Sequence, residues 1–232
     1  MDRLTRTAGR RRSSGGRTPK KPRDELILDA LERLLAKAPM SKVDVEPIAT
    51  EAGITRSRFY AYYTSKYDAF SALLERLVRI REAAASNPDS WFAGRSPEVR
   101  PREAIRKTIE GVTDSWWPHR FVLREACDLW TAVPEVRDTW LRLIGIATAR
   151  IEKAVLRERA LGVAPLGYDA RRIAEALAWQ NERLHFCAWA ELPGALSKKQ
   201  LCEVGLEAYM RMIFLAEDPD PERLRRKRPS PS

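Results

Sequence analysis

Residues 54–66 carry basic, hydroxyl and phenol side chains and contain no acidic residue. Their formal charges come from Arg56, Arg58 and Lys66, and three tyrosines separate the second of these from the third. Guanidinium and ammonium groups bind phosphate oxygens, and arginine also recognises guanine through two hydrogen bonds. The segment therefore has the chemistry of a nucleic-acid contact.

Two short helices joined by a tight turn are expected to present this segment. Asp44 can cap the start of the first helix, and Gly53 ends it because glycine adopts a positive φ without steric cost. Thr55 then caps a second helix, in which Phe59 and Tyr63 share the face that packs on the first helix. The pattern predicts a helix-turn-helix whose second helix leaves its other face to DNA.

Residues on or next to that second helix are predicted to contact DNA. They are Thr55, Arg56, Ser57, Arg58, Tyr60, Tyr62 and Lys66. We expect Tyr60 and Lys66 at backbone phosphates. The two arginines are expected at base edges in the major groove, together with Thr55 and Tyr62.

The positive charge of the chain is concentrated at its start. Residues 1–23 hold nine basic residues and one acid, which supplies +8 of the net charge of +10. Residues 217–232 hold five basic residues and four acids, so the chain between these segments carries +1. A basic segment with so few apolar residues is expected to be disordered alone. It can act as an arm along the phosphate backbone or in the minor groove, or it can simply aid solubility.

The helix-turn-helix resembles the DNA-binding domain of the TetR family of transcriptional repressors. The shared pattern is IAxxAGIxxxxFYxYYxSKxxxF, which occupies residues 48–70. Residues 157–165 (RERALGVAP) and 178–188 (AWQNERLHFCA) resemble the EthR-like subgroup of that family, which binds lipophilic ligands. The resemblance implies an all-α fold of about nine helices, with a three-helix DNA-binding domain and a larger ligand-binding and dimerisation domain.

Helical spacing of apolar residues divides the chain in the same way. The predicted parts are a disordered basic arm (1–23), the helix-turn-helix domain (24–70), a helical ligand-binding and dimerisation domain (71–216) and a disordered tail (217–232). Residues 66–85 are expected to form a connector helix between the two domains, and residues 87–101 a loop at their boundary. Five further helices are predicted near residues 102–117, 120–130, 135–161, 168–191 and 198–216.

The second domain is rich in tryptophan, since six of the seven tryptophans lie between residues 116 and 189. Such rings either pack a core or line an apolar pocket, and composition leaves both open. The resemblance implies a ligand pocket lined by Ile105, Val112, Trp116, Trp140, Ile144, Asn181 and Phe186. The amide of Asn181 then needs a ligand or water partner, unless it forms an ordinary buried hydrogen bond. Ala147 and Ala178 are smaller or less polar than their counterparts in the subgroup, so the pocket has its own shape.

Dimerisation is implied by the same resemblance, because the last two helices of this family pack against their twins. The last helix carries apolar residues on more than one face, at Leu201, Val204, Leu206, Tyr209, Ile213 and Phe214. A two-fold dimer would present two recognition helices to a palindromic operator in double-stranded DNA.

Other classes of protein find little support in the sequence. His119 and His185 stand in no metal-binding spacing, and no nucleophile-elbow, phosphate-loop or dinucleotide motif occurs. The three cysteines are far apart, which argues against a disulfide framework and a metal cluster. No apolar stretch approaches the roughly 20 residues of a membrane span, and the basic start lacks the apolar segment of a secretory signal.

We therefore expect a cytoplasmic, homodimeric repressor that is not an enzyme and uses no metal or cofactor. It is expected to bind an operator and to be released by a small lipophilic ligand. The alternative is a constitutive or architectural DNA-binding protein with no ligand response, in which the second domain serves only dimerisation.

Overall fold

The computed structural model describes residues 22–84 and 90–214, and all regular structure in these two stretches is helical. The α-helices are α1 (Arg23–Leu35), α2 (Val45–Glu51), α3 (Arg56–Tyr60), α4 (Lys66–Ala84), α5 (Pro101–Trp116), α6 (Arg120–Leu129), α7 (Pro134–Ala160), α8 (Ala170–Trp189) and α9 (Lys198–Phe214). Short 3-10 turns lie at Met40–Lys42 and Trp117–His119. The predicted all-α fold is confirmed. The basic arm, apart from Pro22 and Arg23, and the C-terminal tail lie outside the described residues.

Local signals account for the helix-turn-helix formed by α2 and α3. Gly53 adopts a φ of +68°, which ends α2 and lets the chain turn. The Thr55 hydroxyl accepts a hydrogen bond from the Arg58 N–H at 3.2 Å and so caps α3. Asp44 occupies the N-cap position of α2, but its side chain forms no capping hydrogen bond. The prediction was right about where α2 begins and wrong about how its first turn is satisfied.

Helix α4 joins α1, α2 and α3 to the rest of the protein. We call the part of the chain that holds these three helices the DNA-binding part, after its predicted role. Its buried side chains include Phe70 and Leu73, and it packs on α1 on one side and on α7 on the other. The Arg76 guanidinium donates to acids from three turns of α1, at Glu25 (3.0 Å), Asp29 (2.8 Å) and Glu32 (2.8 Å). Because the Arg76 side chain is only 11% exposed, this cluster holds α1 and α4 together more firmly than a surface pair.

The second part is a bundle in which α7 packs along α8, and α5 packs along α9. The five predicted helices are present, with ends within a few residues of the expected ones. One buried core runs from α1 through to α9, so the limit between the two predicted domains stays a prediction. None of the described helices is long and apolar enough to span a bilayer.

The segment after α4 packs into the core, although its composition predicts a loop between domains. Residues 90–100 are non-helical, yet Trp91 is 0% exposed and its indole N–H donates to Glu158 on α7 at 3.0 Å. Arg157 also donates to the Trp91 carbonyl. This segment is therefore part of the second core, which its polar and proline-rich sequence concealed.

Candidate DNA-binding face and ligand cavity

Helix α3 and the turn after it present a basic, exposed surface. The exposed residues are Thr55, Arg56, Ser57, Arg58, Tyr60 and Tyr62, which are six of the seven predicted DNA contacts. We call these six residues the α3 face. The α3 face sits on a firm support, because Phe59 is 0% exposed and its ring lies 5.9 Å from that of Tyr63. Because the Phe59 ring is packed in the core, the backbone of α3 holds its exposed side chains in fixed positions relative to one another.

Each arginine of the α3 face lies beside the phenol ring of a tyrosine four residues later. The Arg56 guanidinium carbon lies 5.8 Å from the centre of the Tyr60 ring, and that of Arg58 lies 5.7 Å from the Tyr62 ring. Neither arginine forms an ion pair with any residue in the two described stretches. The hydrogen-bond donors of both guanidinium groups are therefore available to phosphate oxygens and guanine edges.

Lys66, the seventh predicted contact, is placed differently. Its ammonium donates to the carbonyls of Met40 at 3.0 Å and Val43 at 2.8 Å, and its side chain is only 18% exposed. These bonds tie the start of α4 to the segment before α2. The predicted contact of Lys66 with a DNA phosphate stays a prediction, and its ammonium is already bonded to two carbonyls within the helix-turn-helix part.

A large cavity lies inside the second part of the chain. Its empty space amounts to about 840 Å³, including the portion that opens to solvent. Helices α5, α7 and α8 form most of its wall, and the 90–100 segment, α6 and α9 close it. The lining residues are Trp91, Phe92, Ile105, Thr108, Ile109, Val112, Thr113, Trp116, Leu123, Trp140, Leu143, Ile144, Ala147, Ile151, Ala178, Asn181, Glu182, His185, Trp189 and Tyr209.

The structure brings together six of the seven residues that were expected to line a pocket. These are Ile105, Val112, Trp116, Trp140, Ile144 and Asn181. Phe186 is not among the lining residues. It is half-buried, and the Arg183 guanidinium carbon lies 4.9 Å from the centre of its ring. The helix repeat explains this, since Asn181, His185 and Trp189 point one face of α8 to the cavity and Phe186 falls beside that face.

Several polar groups of the wall are satisfied by each other. The Asn181 amide donates to the Tyr209 hydroxyl at 3.0 Å, which agrees with the open alternative of a buried hydrogen bond. The His185 Nδ1 lies 2.8 Å from the Asn181 carbonyl, so Nδ1 carries the proton. The His185 Nε2 lies 3.1 Å from the Thr113 hydroxyl.

Three polar groups on the same wall have no such partner. The indole N–H groups of Trp140 and Trp189 and the Oε1 of Glu182 are buried, and none forms a hydrogen bond within the described residues. Burial raises the pKa of the Glu182 carboxyl, and the Cys127 thiol and Arg183 oppose that rise only in part. Unsatisfied polar atoms in an apolar wall are what a ligand-binding cavity leaves for its ligand.

Sequence reasoning missed the polar cluster at the Trp91 side of the cavity. Glu158 is 0% exposed and accepts from the Trp91 indole at 3.0 Å and from the Arg95 guanidinium at 3.0 and 2.9 Å. The only sequence signal was the aromatic pair formed by Trp91 and Phe92 in an otherwise polar loop.

Comparison with known proteins matches both parts of the chain. Residues 27–73 match the family model described as bacterial regulatory proteins, tetR family. Residues 105–215 match the model for the C-terminal domain of the transcriptional regulator EthR. The two models thus cover the helix-turn-helix and the domain that holds the cavity.

Curated relatives agree over most of the chain. The HTH-type transcriptional regulator EthR of Mycolicibacterium smegmatis is 30% identical over 198 residues, which cover 83% of this chain and 89% of that protein. EthR of Mycobacterium tuberculosis is 28% identical over 193 residues, which cover 83% of this chain and 87% of that protein. These relatives are transcriptional regulators, in keeping with the expectation that the protein is not an enzyme.

Solved structures share the fold at low identity. A putative TetR-family regulator from Rhodococcus sp. has a TM-score of 0.66 and 16% identity, and the match covers 81% of this chain and 96% of that one. The fatty acid degradation regulator FadR from Bacillus halodurans has a TM-score of 0.63 and 14% identity, with 84% and 96% covered. Sequence, family models and fold therefore agree that this chain belongs to the TetR family of transcriptional regulators, with a C-terminal domain of the EthR type.

Proposed function

We propose that the protein is a homodimeric transcriptional repressor that a small lipophilic ligand releases from its operator. The observation that carries this proposal concerns α6 and α7. Each helix borders the cavity with one face and contacts the DNA-binding part with another. A molecule that changes the spacing of these helices therefore acts on the helix-turn-helix as well.

The α3 face is the part that we assign to DNA. The arginines and Tyr62 would approach base edges, Thr55 and Ser57 offer hydroxyl donors, and Tyr60 would meet a phosphate. The basic segment 1–23 would add contacts to the phosphate backbone. Lys66 supports the face through its bonds to two backbone carbonyls, and a phosphate contact by its ammonium stays a prediction.

Helix α7 provides one connection between the cavity and the connector helix α4. On the cavity side it carries Trp140 and Ile144. On the other side its Thr139 hydroxyl lies 2.9 Å from the Ser71 hydroxyl of α4. One turn farther along, Arg142 pairs with Glu75 of α4 at 2.7 Å. A shift of α7 is transmitted through these contacts to α4, which leads directly from α3.

Helix α6 provides a second connection, which reaches the chain just before α2. Leu123 lines the cavity, and two residues later the buried Glu125 accepts from the Met40 N–H at 2.7 Å. Met40 in turn offers its carbonyl to Lys66. Just before α6, the ring of His119 contacts Glu32 of α1 at 2.5 Å. Helices that border the cavity, and the turn before α6, are thus bonded to α1, to the segment before α2 and to the connector helix α4.

Dimerisation is assigned to the outer faces of α8 and α9. Four of the six apolar residues expected to serve an interface are buried in the protomer itself, namely Leu201, Leu206, Tyr209 and Ile213. Val204, at 40% exposed, and Trp179 of α8, at 36%, remain on the surface and support an interface there. A two-fold pair of these faces would place two α3 helices on a palindromic operator.

The direction of the response follows from linkage. A ligand shifts a conformational equilibrium only if it prefers one state, so an inducer must bind the DNA-incompetent form more tightly. The alternative, a constitutive DNA-binding protein, provides no use for a cavity lined by five tryptophan or phenylalanine rings. Titration with lipophilic compounds, followed by tryptophan fluorescence, separates the two hypotheses. A protein with a ligand site should show a fluorescence change that saturates, and a protein without one should not.

Fluorescence anisotropy on the DNA upstream of the protein's own gene tests the DNA side, with a shuffled duplex as reference. We expect tight binding to the first duplex alone. Arg56→Ala should weaken operator binding by about 1–3 kcal/mol and leave binding to shuffled DNA nearly unchanged. Arg172→Ala, on the surface of α8, is the matched control for loss of one positive charge. Equal losses on both duplexes would reassign Arg56 to a phosphate.

The basic arm is tested by its salt dependence. Because α1 begins at Arg23, deletion of residues 1–21 removes the arm and leaves the helix intact. The deletion should weaken binding to any DNA and flatten the dependence of the binding constant on salt, since fewer counterions are released. An unchanged slope would show that the arm makes no phosphate contacts.

A further inference from the structure

The wall of the cavity carries an acidic group whose environment is unusual. Glu182 lies on α8, lines the cavity and is 8% exposed. Its Oε1 accepts no hydrogen bond from the described residues. Its Oε2 lies 3.5 Å from the Nε of Arg183, whose side chain is 54% exposed and therefore largely hydrated. One oxygen thus has a distant surface partner, and the other has none.

The neighbours of Glu182 do not supply a strong partner. Cys127 of α6 provides a side-chain hydrogen bond to the Glu182 carboxyl, but a thiol is a weak donor. Burial, followed by the negative charge of Glu182, raises the pKa of that thiol well above its ordinary value. Asp128 adds a second negative charge that acts on Cys127. Within the described residues, the only charge that acts on the Glu182 carboxyl is that of Arg183, which offsets the effect of burial only in part.

A buried carboxylate with an unbonded oxygen is costly, and the other two buried acids among the described residues are fully bonded. Glu125 accepts from the Met40 N–H and pairs with Arg124, and Glu158 accepts from Trp91 and Arg95. Unsatisfied buried acceptors destabilise a fold by their desolvation, so they persist where something else requires them. A carboxylate left open on the wall of a cavity points to a donor on the molecule that fills it.

We propose that this cavity selects a lipophilic amine, and that the protonated nitrogen of the ligand forms an ion pair with the Oε1 of Glu182. The inference rests on the ligand site of the proposed function and adds the charge of the ligand to it. The apolar body of the ligand would lie against rings such as Trp116 and Trp140. A fatty acid would place a second carboxylate beside Glu182 in a medium of low dielectric, where like charges repel strongly.

Three probes of equal chain length test this inference with the full-length protein. They are decylamine, decanol and decanoate, each used below its micelle concentration at pH 7, with binding followed by tryptophan fluorescence and by calorimetry. Decylamine should bind about tenfold to a hundredfold more tightly than decanol, the range expected for a hydrogen bond to a charged group. Decanoate should bind most weakly. Equal binding of decylamine and decanol overturns the inference and leaves the Glu182 oxygen to a water molecule.

Two variants of residues on α8 test whether Glu182 causes the preference for decylamine over decanol. Glu182→Gln keeps the size and removes the charge, and it should erase the advantage of decylamine over decanol. Glu175→Gln removes an acid from the exposed surface of the same helix, where Glu175 pairs with Arg171 and Arg172, and it should keep the advantage. A preference that survives in Glu182→Gln overturns the assignment. If that variant does not fold, the three probes on the unaltered protein still decide.

The same compounds, added to the protein on its operator, separate this inference from the proposed function. If decylamine binds selectively and DNA stays bound, the amine site stands and ligand-induced release is wrong. If decanol and decanoate bind as well as decylamine and release DNA, release stands and the amine site is wrong.

Discussion

Two buried glutamates in the second part of the chain differ in how completely their oxygens are bonded. Glu158, on α7, is 0% exposed and accepts from Trp91 and from the Nε and Nη2 of Arg95, whose side chain is 5% exposed. Glu182, on α8, is nearly as buried, yet its Oε1 has no hydrogen bond within the described residues. The first carboxylate is neutralised by the fold, and the second is not.

The difference separates a structural group from a candidate binding group. The Glu158 cluster ties the 90–100 segment to α7 and so closes one end of the cavity. A set of bonds that is already complete has nothing left to offer a ligand. The Oε1 of Glu182, by contrast, is a buried acceptor without a hydrogen bond from the described residues. Its desolvation lowers the stability of the fold. The same residue type therefore has opposite energetic roles in the free protein.

Glu158→Ala is the test of this comparison with the largest expected effect. The substitution leaves the buried Arg95 guanidinium without its counter-charge, so we expect a loss of about 3–5 kcal/mol in the free energy of unfolding. Urea denaturation at pH 7 measures it, with Glu175→Ala as a control for removing a surface acid. A loss below about 1 kcal/mol, the range of a surface pair, would show that the Glu158 cluster is not structural.

A matched pair of tryptophans gives the next test. Trp91→Phe removes an indole N–H that donates to Glu158, whereas Trp189→Phe removes one that has no acceptor in the described part. Both changes remove similar ring volume, so the difference between them reports the hydrogen bond. Trp91→Phe should lower the free energy of unfolding by about 1.5–3 kcal/mol more than Trp189→Phe. Equal losses would mean that the bond to Glu158 adds nothing.

Glu182→Gln is expected to act in the opposite direction from Glu158→Ala. Replacing an incompletely bonded, buried carboxylate with a neutral amide relieves its desolvation, so the ligand-free protein should gain about 1 kcal/mol in the free energy of unfolding. The urea midpoint should rise at pH 7 with an unchanged slope. A clear destabilisation would show that Glu182 is bonded as fully as Glu158 and would remove the contrast.

The smallest expected effect is the pH dependence of that gain. Burial raises the pKa of Glu182 above its unfolded value, so the folded protein holds the proton more tightly than the unfolded chain does. The resulting stability is fully present below the unfolded pKa and is lost as pH rises through the folded pKa. The advantage of Glu182→Gln should therefore be larger at pH 7 than at pH 4. Thermal melts of both proteins at the two pH values measure it, and a constant difference would contradict the raised pKa.

Much of the fold was accessible from the sequence because its signals are local. Gly53 and Thr55 mark the turn of the helix-turn-helix through their own backbone and side-chain preferences, and the structure shows both in those roles. Helix ends were placed within a few residues because apolar spacing and proline report them directly. Within α3, the exposure of Arg56 and Tyr60 and the burial of Phe59 followed from the helix repeat.

The site was predictable only where a resemblance supplied its geometry. Six of the seven expected pocket residues line the cavity, but Phe186 does not, and Trp91 and Glu158 were not anticipated. The side-chain bond between these last two spans 67 residues of sequence, and no local pattern reports it. The bonds of Lys66 were not anticipated for the same reason, since its carbonyl partners lie more than 20 residues earlier in the chain.

The sequence by itself determined the helices, the turn of the DNA-binding motif and the acid-free composition of its exposed face, because propensity, capping and periodicity act over a few residues. Tertiary structure decided which polar atoms find partners across helices. In the folded protein Glu158 pairs with Arg95, and the Lys66 ammonium donates to two backbone carbonyls. The Oε1 of Glu182 accepts no hydrogen bond from the described residues. Hydrogen bonds act over about 3 Å, so only the packed arrangement of distant segments could distinguish these three charged groups.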